Sequence, residues 1–198
     1  SAAMQTAINF AAANNLRLVI SPGVYMIGNI MLPPSNSHIV IQKGAELKAK
    51  LGMFDGGSIF ALRDVSNVII EGEGIINGNK QGFVDTWRVT PVIINGGSNI
   101  KIKGITIKNG AALDGSFGDG MYVLMGYNVA TAPEKLTIDG VTFDSNERGG
   151  MQMSSCIDCK IINNYFINTS GDTNGWLGPS AGIDFENHPL SISVNDMV

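Results

Sequence analysis

Two acidic residues, Asp184 and Glu186, interrupt a short apolar run in AGIDFENHP, residues 181 to 189. Alternate residues of a strand face the same side, so a strand that buries Ile183 and Phe185 directs both carboxylates outward together. Their Cα atoms then lie roughly 6.6 Å apart, from where the carboxyl groups can reach the separations of retaining or of inverting glycosidases. The pair therefore predicts acid–base chemistry on a sugar, with a solvated strand edge as the alternative.

Other polar side chains are expected on the same outer face. Tyr122 and Gln152 fall at the position of Asp184 in the two preceding strands, where a ring can stack on a sugar and an amide can bond its hydroxyls. Arg148 and Glu147 stand just before the strand of Gln152. An arginine there could hold a uronate carboxylate in a bidentate contact, and the alternative is a turn pair in water. The sequence thus predicts that these four side chains bind substrate.

Two further candidates for substrate binding lie in loops next to this face. Trp176, in SGDTNGWLGPS, offers a stacking surface, and His188, in ENHP, offers a base. A Trp packed on the protein wall and a structural His are the commoner roles of these residue types. Asp172, with the acidic pair, would supply hard oxygen ligands that suit a calcium ion. No other metal or cofactor is expected.

The segments that must position these residues repeat along the chain. Each of four units begins with alternating apolar residues, turns at Gly or Asn, and resumes with an apolar residue. The units are VIIEGEGII (68–76), IKIKGITIKN (100–109), LTIDGVTFDS (136–145) and KIINNYFINT (160–169). A second short strand follows each unit, and these strands begin about 30 residues apart, at Pro91, Gly120, Gly150 and Gly182. A period near 30 without helices between the strands is what a stacked β-solenoid requires.

The alignment of the repeats predicts columns of stacked residues. Alternation in the second strands directs two columns inward, Val92, Met121, Met151 and Ile183 in one and Ile94, Val123, Met153 and Phe185 in the other. In the first strands the aligned apolar pairs are Ile70/Ile75, Ile102/Ile107, Ile138/Phe143 and Ile161/Phe166. Two residues after the second member of each pair come Asn77, Asn109, Ser145 and Asn168. Asn accepts left-handed backbone angles, and stacked amides can hydrogen-bond at such a turn.

Residues 1–15 are the one segment with a helical pattern. Met4, Ile8 and Ala11 share a face at helical spacing, and the Asn14-Asn15 pair is a helix stop. We expect this helix to cover the open end of the coils formed by residues 16–198, whose strand edge would otherwise pair with other chains. The chain stops where a further coil, LSISVNDMV, begins, so we expect the domain to be truncated at both ends.

The composition excludes several classes of protein. The chain has 198 residues and 13 Lys plus Arg against 17 Asp plus Glu, a net charge of −4 without a cationic cluster, so a nucleic-acid partner is not expected. No apolar run reaches the roughly 20 residues that span a bilayer. Cys156 and Cys159 form a lone CxxC without the further ligands of a zinc site. Two small thiols are favoured, and a disulfide is left open.

Three segments carry a family resemblance. The helix with A-x-x-x-A-I-N-x-A, then LVISPGVYMIG, then VSNVIIEGEGIINGN, resembles the N-terminal half of the right-handed parallel β-helix proteins of the pectin-lyase-like superfamily. SPGVY is similar to the P-x-G-x-Y that joins the capping helix to the first coil in pectate-lyase-type and phage tailspike-type members. The resemblance covers most of the chain and implies an all-β, right-handed parallel β-helix of about 30 residues per coil with an N-terminal capping α-helix.

For chemistry the resemblance is less specific, because the superfamily includes lyases, hydrolases, epimerases, esterases and non-catalytic members. The polygalacturonase pattern of N-T-D, paired Asp and Gly-His is absent, as is the pectate lyase R-x-P-x-x-R. We expect an enzyme that cleaves an extracellular or cell-surface polysaccharide by hydrolysis or β-elimination, with Asp184 and Glu186 as its acid–base pair. The alternative is a non-catalytic glycan-binding or structural β-helix, such as part of a homotrimeric phage tail spike. Either expectation implies an extracellular or virion-associated protein.

Overall fold

Three parallel sheets and one helix account for most of the described chain. The computed structural model describes residues 2–51, 57–82, 88–113, 116–169 and 181–186. In those residues it has helix α1 (Ala2–Ala13), one 3₁₀ turn (Lys80–Gly82) and strands β1 to β19. The strands are β1 (Arg17–Ile20), β2 (Gly23–Ile27), β3 (His38–Ile41), β4 (Ala45–Ala49), β5 (Phe60–Arg63), β6 (Ser66–Gly72), β7 (Ile75–Asn77), β8 (Val92–Asn95), β9 (Ser98–Lys103), β10 (Thr106–Lys108), β11 (Ala112–Leu113), β12 (Ser116–Phe117), β13 (Met121–Leu124), β14 (Thr137–Asp139), β15 (Thr142–Asp144), β16 (Met151–Met153), β17 (Lys160–Ile162), β18 (Tyr165–Ile167) and β19 (Ile183–Phe185).

The strands are distributed over the sheets in a regular order. The first sheet has the order β1-β3-β6-β9-β14-β17, the second β18-β15-β10-β7-β4-β2 and the third β19-β16-β13-β8-β5. From β3 onward the chain passes from the first sheet to the second, then to the third, and back to the first, with the antiparallel pair β11-β12 inserted after β10. The prediction of a mostly β chain with parallel strand stacking and one N-terminal helix is confirmed at this level.

The predicted columns of the third sheet have the expected register. Val92 pairs with Met121, Met121 with Met151 and Met151 with Ile183. The first three of these side chains are fully buried, and Ile183 packs against the same core. Period-2 alternation along short strands therefore located the buried face of this sheet correctly.

Phe185 departs from the predicted burial although its register is as predicted. It pairs with Met153, which is fully buried, but its own side chain is 49% exposed. The physical reason is that β19 is the edge strand of the third sheet, and no strand of the described part packs beyond it. The prediction that Phe185 belongs to the core column is therefore wrong for this part of the chain.

One repeat of the second sheet is shifted by a residue from the prediction. Ile107 pairs with Ile76, and Ile75 pairs with Thr106 on the partly exposed outer side. The chain between the paired residues Glu71 and Ile75 is longer by one residue. Three residues beginning with Gly72, which has φ 126°, lie between them, whereas two residues lie between their partners Lys103 and Thr106. The predicted alignment of Ile75 with Ile107 is therefore wrong, and that of Ile107 with Phe143 and Phe166 is confirmed.

Asparagines stabilise two turns between the sheets. At the predicted position Asn109, Ser145 and Asn168 have positive φ, and the Asn109 amide donates to Asn77 at 3.0 Å. Asn77 itself lies in β7 and pairs with Lys108, one residue before Asn109. The prediction of a left-handed turn residue therefore holds for three of the four members. A second column was not predicted, and it lies at the start of the first-sheet strands β3, β6 and β9. It consists of Asn36, Asn67 and Asn99, all with positive φ and with amides joined at 3.1 and 2.8 Å.

The helix has the predicted face and stop signal. Ile8, Ala11 and Ala12 are buried where α1 packs against β1 and β3. Asn15 takes φ 52° just after the helix, and the Leu16 amide donates to the Ala11 carbonyl at 2.8 Å, which closes the C-terminal turn.

Cys156 and Cys159 are both buried and are joined in a disulfide, so the favoured prediction of two free thiols is wrong. Across the described ranges, the chain contains no helix with the length and apolar character needed to span a membrane.

Candidate functional site

The outer face of the third sheet brings the predicted polar residues into one column. Tyr122 in β13 pairs with Gln152 in β16, which pairs with Asp184 in β19. Glu186 follows β19, and its backbone amide donates to the Met153 carbonyl at 3.2 Å. The parallel register therefore stacks these side chains as the sequence predicted.

Arg148 joins this column through its guanidinium. One terminal nitrogen, Nη1, donates to the Tyr122 hydroxyl at 3.2 Å and to Gln152 Oε1 at 3.0 Å. The other, Nη2, donates to Glu186 Oε1 at 2.8 Å and lies 3.8 Å from Asp184 Oδ2. Only 14% of the arginine side chain is exposed. Arg148 thus links residues from three neighbouring strands.

The turn before β16 fixes the position of Arg148. The Asn146 side chain is fully buried, accepts the Gly110 amide at 2.9 Å and donates to the Ile107 carbonyl at 3.2 Å. The Arg148 amide donates to the Gly118 carbonyl at 3.3 Å. Because both ends of the turn are bonded to the preceding repeat, the guanidinium is directed back over the outer face of the sheet.

Asp119 completes the group, and its role was not predicted. Its side chain is buried, and Oδ2 lies 3.5 Å from Arg148 Nη1. Burial raises the pKa of Asp119 to about 6, with the attraction of Arg148 and a hydrogen bond from Tyr122 opposing the shift. We call Asp119, Tyr122, Arg148, Gln152, Asp184 and Glu186 the Arg148 cluster.

The acidic pair is directly coupled. Burial raises the pKa of Asp184, and the neighbouring Glu186 charge and a hydrogen bond to Glu186 raise it further, against the attraction of Arg148. The Glu186 carboxylate accepts bonds from Arg148 and, at 2.6 Å, from Gln152 Nε2. The surroundings of Asp184 therefore shift its pKa upward and favour its protonated form.

Two other pKa shifts follow from the same contacts. Burial and the Asp119 charge raise the pKa of the Tyr122 hydroxyl, so it stays protonated. Burial alone would lower the pKa of Arg148, but the Asp119 charge and the contacts with Tyr122 and Glu186 outweigh it and raise the pKa. The guanidinium is therefore a fixed cation of the cluster.

Glycine at position 149 makes room for Asp119. A Cβ atom built on Gly149 would lie 2.5 Å from Asp119 Oδ1, closer than real Cβ contacts. Gly149 and Asp119 each stand two residues before the strands that pair Met121 with Met151, and the Gly120 amide donates to the Gly149 carbonyl at 3.0 Å. The absence of a side chain at residue 149 is thus what lets the buried carboxyl approach Arg148.

Not every predicted residue joins the cluster in the predicted role. Tyr122 is only 6% exposed, so its ring does not offer a stacking surface, and it supports Arg148 instead. Glu147 points elsewhere, since its Oε2 accepts the Ala112 amide at 2.8 Å. Trp176 and His188 lie outside the described residues.

Asp172, the third ligand of the predicted calcium site, lies outside the described ranges, so this site stays a prediction. Among the residues that are described, no group of three or more His, Cys, Asp or Glu side chains could hold a metal ion. Between Asp184 and Glu186 the positive charge is supplied by Arg148.

Comparison with known proteins gives a likeness of fold. No known protein family and no curated protein matches this sequence. A solved structure from Parabacteroides merdae ATCC 43184, described as a candidate glycosyl hydrolase, is similar to this chain with a TM-score of 0.64 and 19% sequence identity. The match covers 85% of this chain and 86% of that chain. At this level of identity the likeness shows a shared β-rich fold.

Proposed function

We propose that this protein is a glycoside hydrolase that cleaves a polysaccharide on the outer face of the third sheet. The observation that carries the proposal is the hydrogen-bonded pair of Asp184, whose pKa is raised, and Glu186, which accepts bonds from Arg148 and Gln152. Two carboxyls with different environments divide into a proton donor and a charged partner, as glycoside hydrolysis needs. The similarity to a candidate glycosyl hydrolase supports the same class.

We further propose that the three sheets are the walls of a right-handed parallel β-helix of the pectin-lyase-like type. Its support is the cycling of strands through the three sheets and the pairing of residues about 30 positions apart, such as Val92 with Met121. In such a solenoid α1 would cap the first coil, as residues 1–15 were expected to do. A long outer face would suit an extended glycan chain.

The proposed chemistry assigns one step to each carboxyl. Asp184 gives its proton to the glycosidic oxygen as the bond to the anomeric carbon breaks. Glu186 either attacks that carbon or takes a proton from the water that does. Arg148 and Gln152 hold the Glu186 carboxylate in place, and Asp119 holds Arg148. A sugar must separate the two carboxyls, because in the free protein they bond each other.

An extracellular or virion-surface location belongs to the same proposal. Its support is the Cys156–Cys159 disulfide, since disulfides persist mainly in oxidising surroundings.

The proposal is tested by incubating the protein with a panel of neutral and acidic polysaccharides, with and without EDTA. Reducing ends and the ultraviolet absorbance of unsaturated uronates are measured together. We expect new reducing ends, no unsaturated product and no effect of EDTA. Unsaturated product would mean a lyase, and binding without cleavage would mean a non-catalytic glycan-binding β-helix.

A further inference from the structure

We propose that the sugar unit bound against the Arg148 cluster is uncharged, so that the substrate is a neutral glycan and not a polyuronate; this inference rests on the proposed function.

The terminal nitrogens of Arg148 are already directed at protein groups. Nη1 donates to Tyr122 and Gln152, and Nη2 donates to Glu186 and faces Asp184. A bidentate grip on a uronate carboxylate needs two parallel N–H groups that are free for it. To provide them, Arg148 would have to release Glu186, which is 49% exposed, and move away from the buried Asp119 and the partly buried Asp184.

The charge of the cluster also opposes an anion. Asp119, Asp184 and Glu186 surround a single guanidinium. The single positive charge of Arg148 balances the negative charge of Glu186. Ionisation of one further carboxyl therefore gives the cluster a net negative charge. A uronate would add another negative charge at close range in a poorly solvated place, and like charges in contact cost several-fold or more in affinity.

No other permanent cation can be supplied by the segments outside the described ranges. Residues 52–56, 83–87, 114–115, 170–180 and 187–198 contain no Lys or Arg. On the third sheet the outward cation Arg63 lies in β5, three strands from β16 and so roughly 14 Å away. Its guanidinium stacks over the Tyr127 ring at 4.3 Å.

The unsatisfied atoms of the cluster favour hydroxyl groups. Asp184 Oδ2 and Asp119 Oδ2 are buried and have no hydrogen-bond partner in the described part of the chain. Both oxygens can accept a hydrogen bond, and the buried Arg148 Nε, which also lacks a partner in the described residues, can donate one. A sugar hydroxyl supplies a donor and an acceptor together, whereas a carboxylate supplies acceptors only. A uronate carboxylate therefore offers no hydrogen bond to the carboxylate oxygens of the cluster, whereas a hydroxyl does.

The experiment uses matched glycans that differ only in the carboxyl group. A glycan array carries neutral oligosaccharides beside uronates, and polygalacturonate, alginate and glucuronoxylan are each compared with their carboxyl-reduced forms for binding and for reducing-end release. We expect the neutral member of a pair to be bound and cleaved at least about tenfold better. Its affinity should not change with ionic strength, whereas any residual uronate binding should strengthen as salt screens the repulsion.

The two proposals can fail separately. If a uronate is bound or cleaved better than its reduced form, the neutral-glycan inference is overturned, and cleavage still supports the hydrolase. If neither member of any pair is bound or cleaved, the proposed function fails, and the inference fails with it.

Discussion

Asp119 is the buried acid whose titration should be visible in the stability of the protein. Burial raises its pKa from 3.8 to about 6, so the folded chain holds this proton more tightly than the unfolded chain does. The contribution of this proton to the free energy of unfolding is fully present below about pH 4 and is lost as the pH rises through about 6. The free energy of unfolding falls by about 3 kcal/mol as a result. Asp119→Asn has no such titration.

We therefore expect the unfolding free energy of the wild type, minus that of Asp119→Asn, to fall by this amount between about pH 4 and pH 7. Urea denaturation of both proteins across this pH range measures the difference. A difference that stays constant with pH would show that Asp119 keeps an ordinary pKa.

Gly149 should matter mainly because Asp119 is beside it, since the next contact of a Cβ there, with the Ala181 carbonyl oxygen, is longer at 3.2 Å. A Cβ at residue 149 would meet Asp119 Oδ1 at 2.5 Å, so Gly149→Ala should displace the carboxyl from Arg148 and lower kcat by about tenfold or more. In an Asp119→Ala background the obstacle is gone, and the same substitution should cost little further activity. Equal losses in the two backgrounds in a double-mutant cycle would contradict this positioning role.

At the level of single residues, the sequence predicted the column but not its organisation. Tyr122, Gln152 and Asp184 could be aligned because the Gly residues that begin their strands recur at one period. Asp119 could have been found one position before Gly120, in a loop rich in Gly. Its importance follows from burial and from contact with Arg148, which depend on how the turn at Asn146 folds, and local pattern does not carry that information.

At the scale of elements, the asparagine column at the start of the first-sheet strands should stabilise the chain where it enters that sheet. Asn67 has φ 58° and bonds both Asn36 and Asn99. Asn67→Ala removes these bonds and strains the backbone, whereas Asn67→Gly removes the bonds alone. We expect the Ala variant to be less stable than the Gly variant by about 1 kcal/mol in urea denaturation. Equal stability would mean that the left-handed angle carries no cost here.

The strands themselves were predictable where apolar residues alternate, and less so where turn lengths vary. Ile102 and Ile138 fell in register, because each turn between their strands and the next has the same length. The extra residue after Gly72 shifted Ile75 to the outer side, and an edge position left Phe185 exposed. Turn length and the presence of a neighbouring strand are properties of the stack, which a single repeat does not reveal.

On the scale of the whole molecule, one of the three outer faces differs from the others in its charges. The first sheet presents Lys101, Lys103 and Lys160 on its outer side in paired or exposed positions, and Lys103 lies 3.6 Å from Asp139. Isolated surface pairs of this kind contribute little free energy. The third sheet instead concentrates partly buried charges around Arg148. The predicted homotrimer stays a prediction, and sedimentation is its test.

The central claim is that Asp184 and Glu186 carry the chemistry. Its most direct test is the rate of reducing-end release from one cleaved glycan by the wild type, Asp184→Asn and Glu186→Gln, with Asp139→Asn on the first sheet as the matched control. We expect kcat to fall at least about 100-fold in the first two variants and to stay unchanged in the control, with all four proteins folded. Activity within about tenfold of the wild type in either site variant would contradict the assignment of that residue.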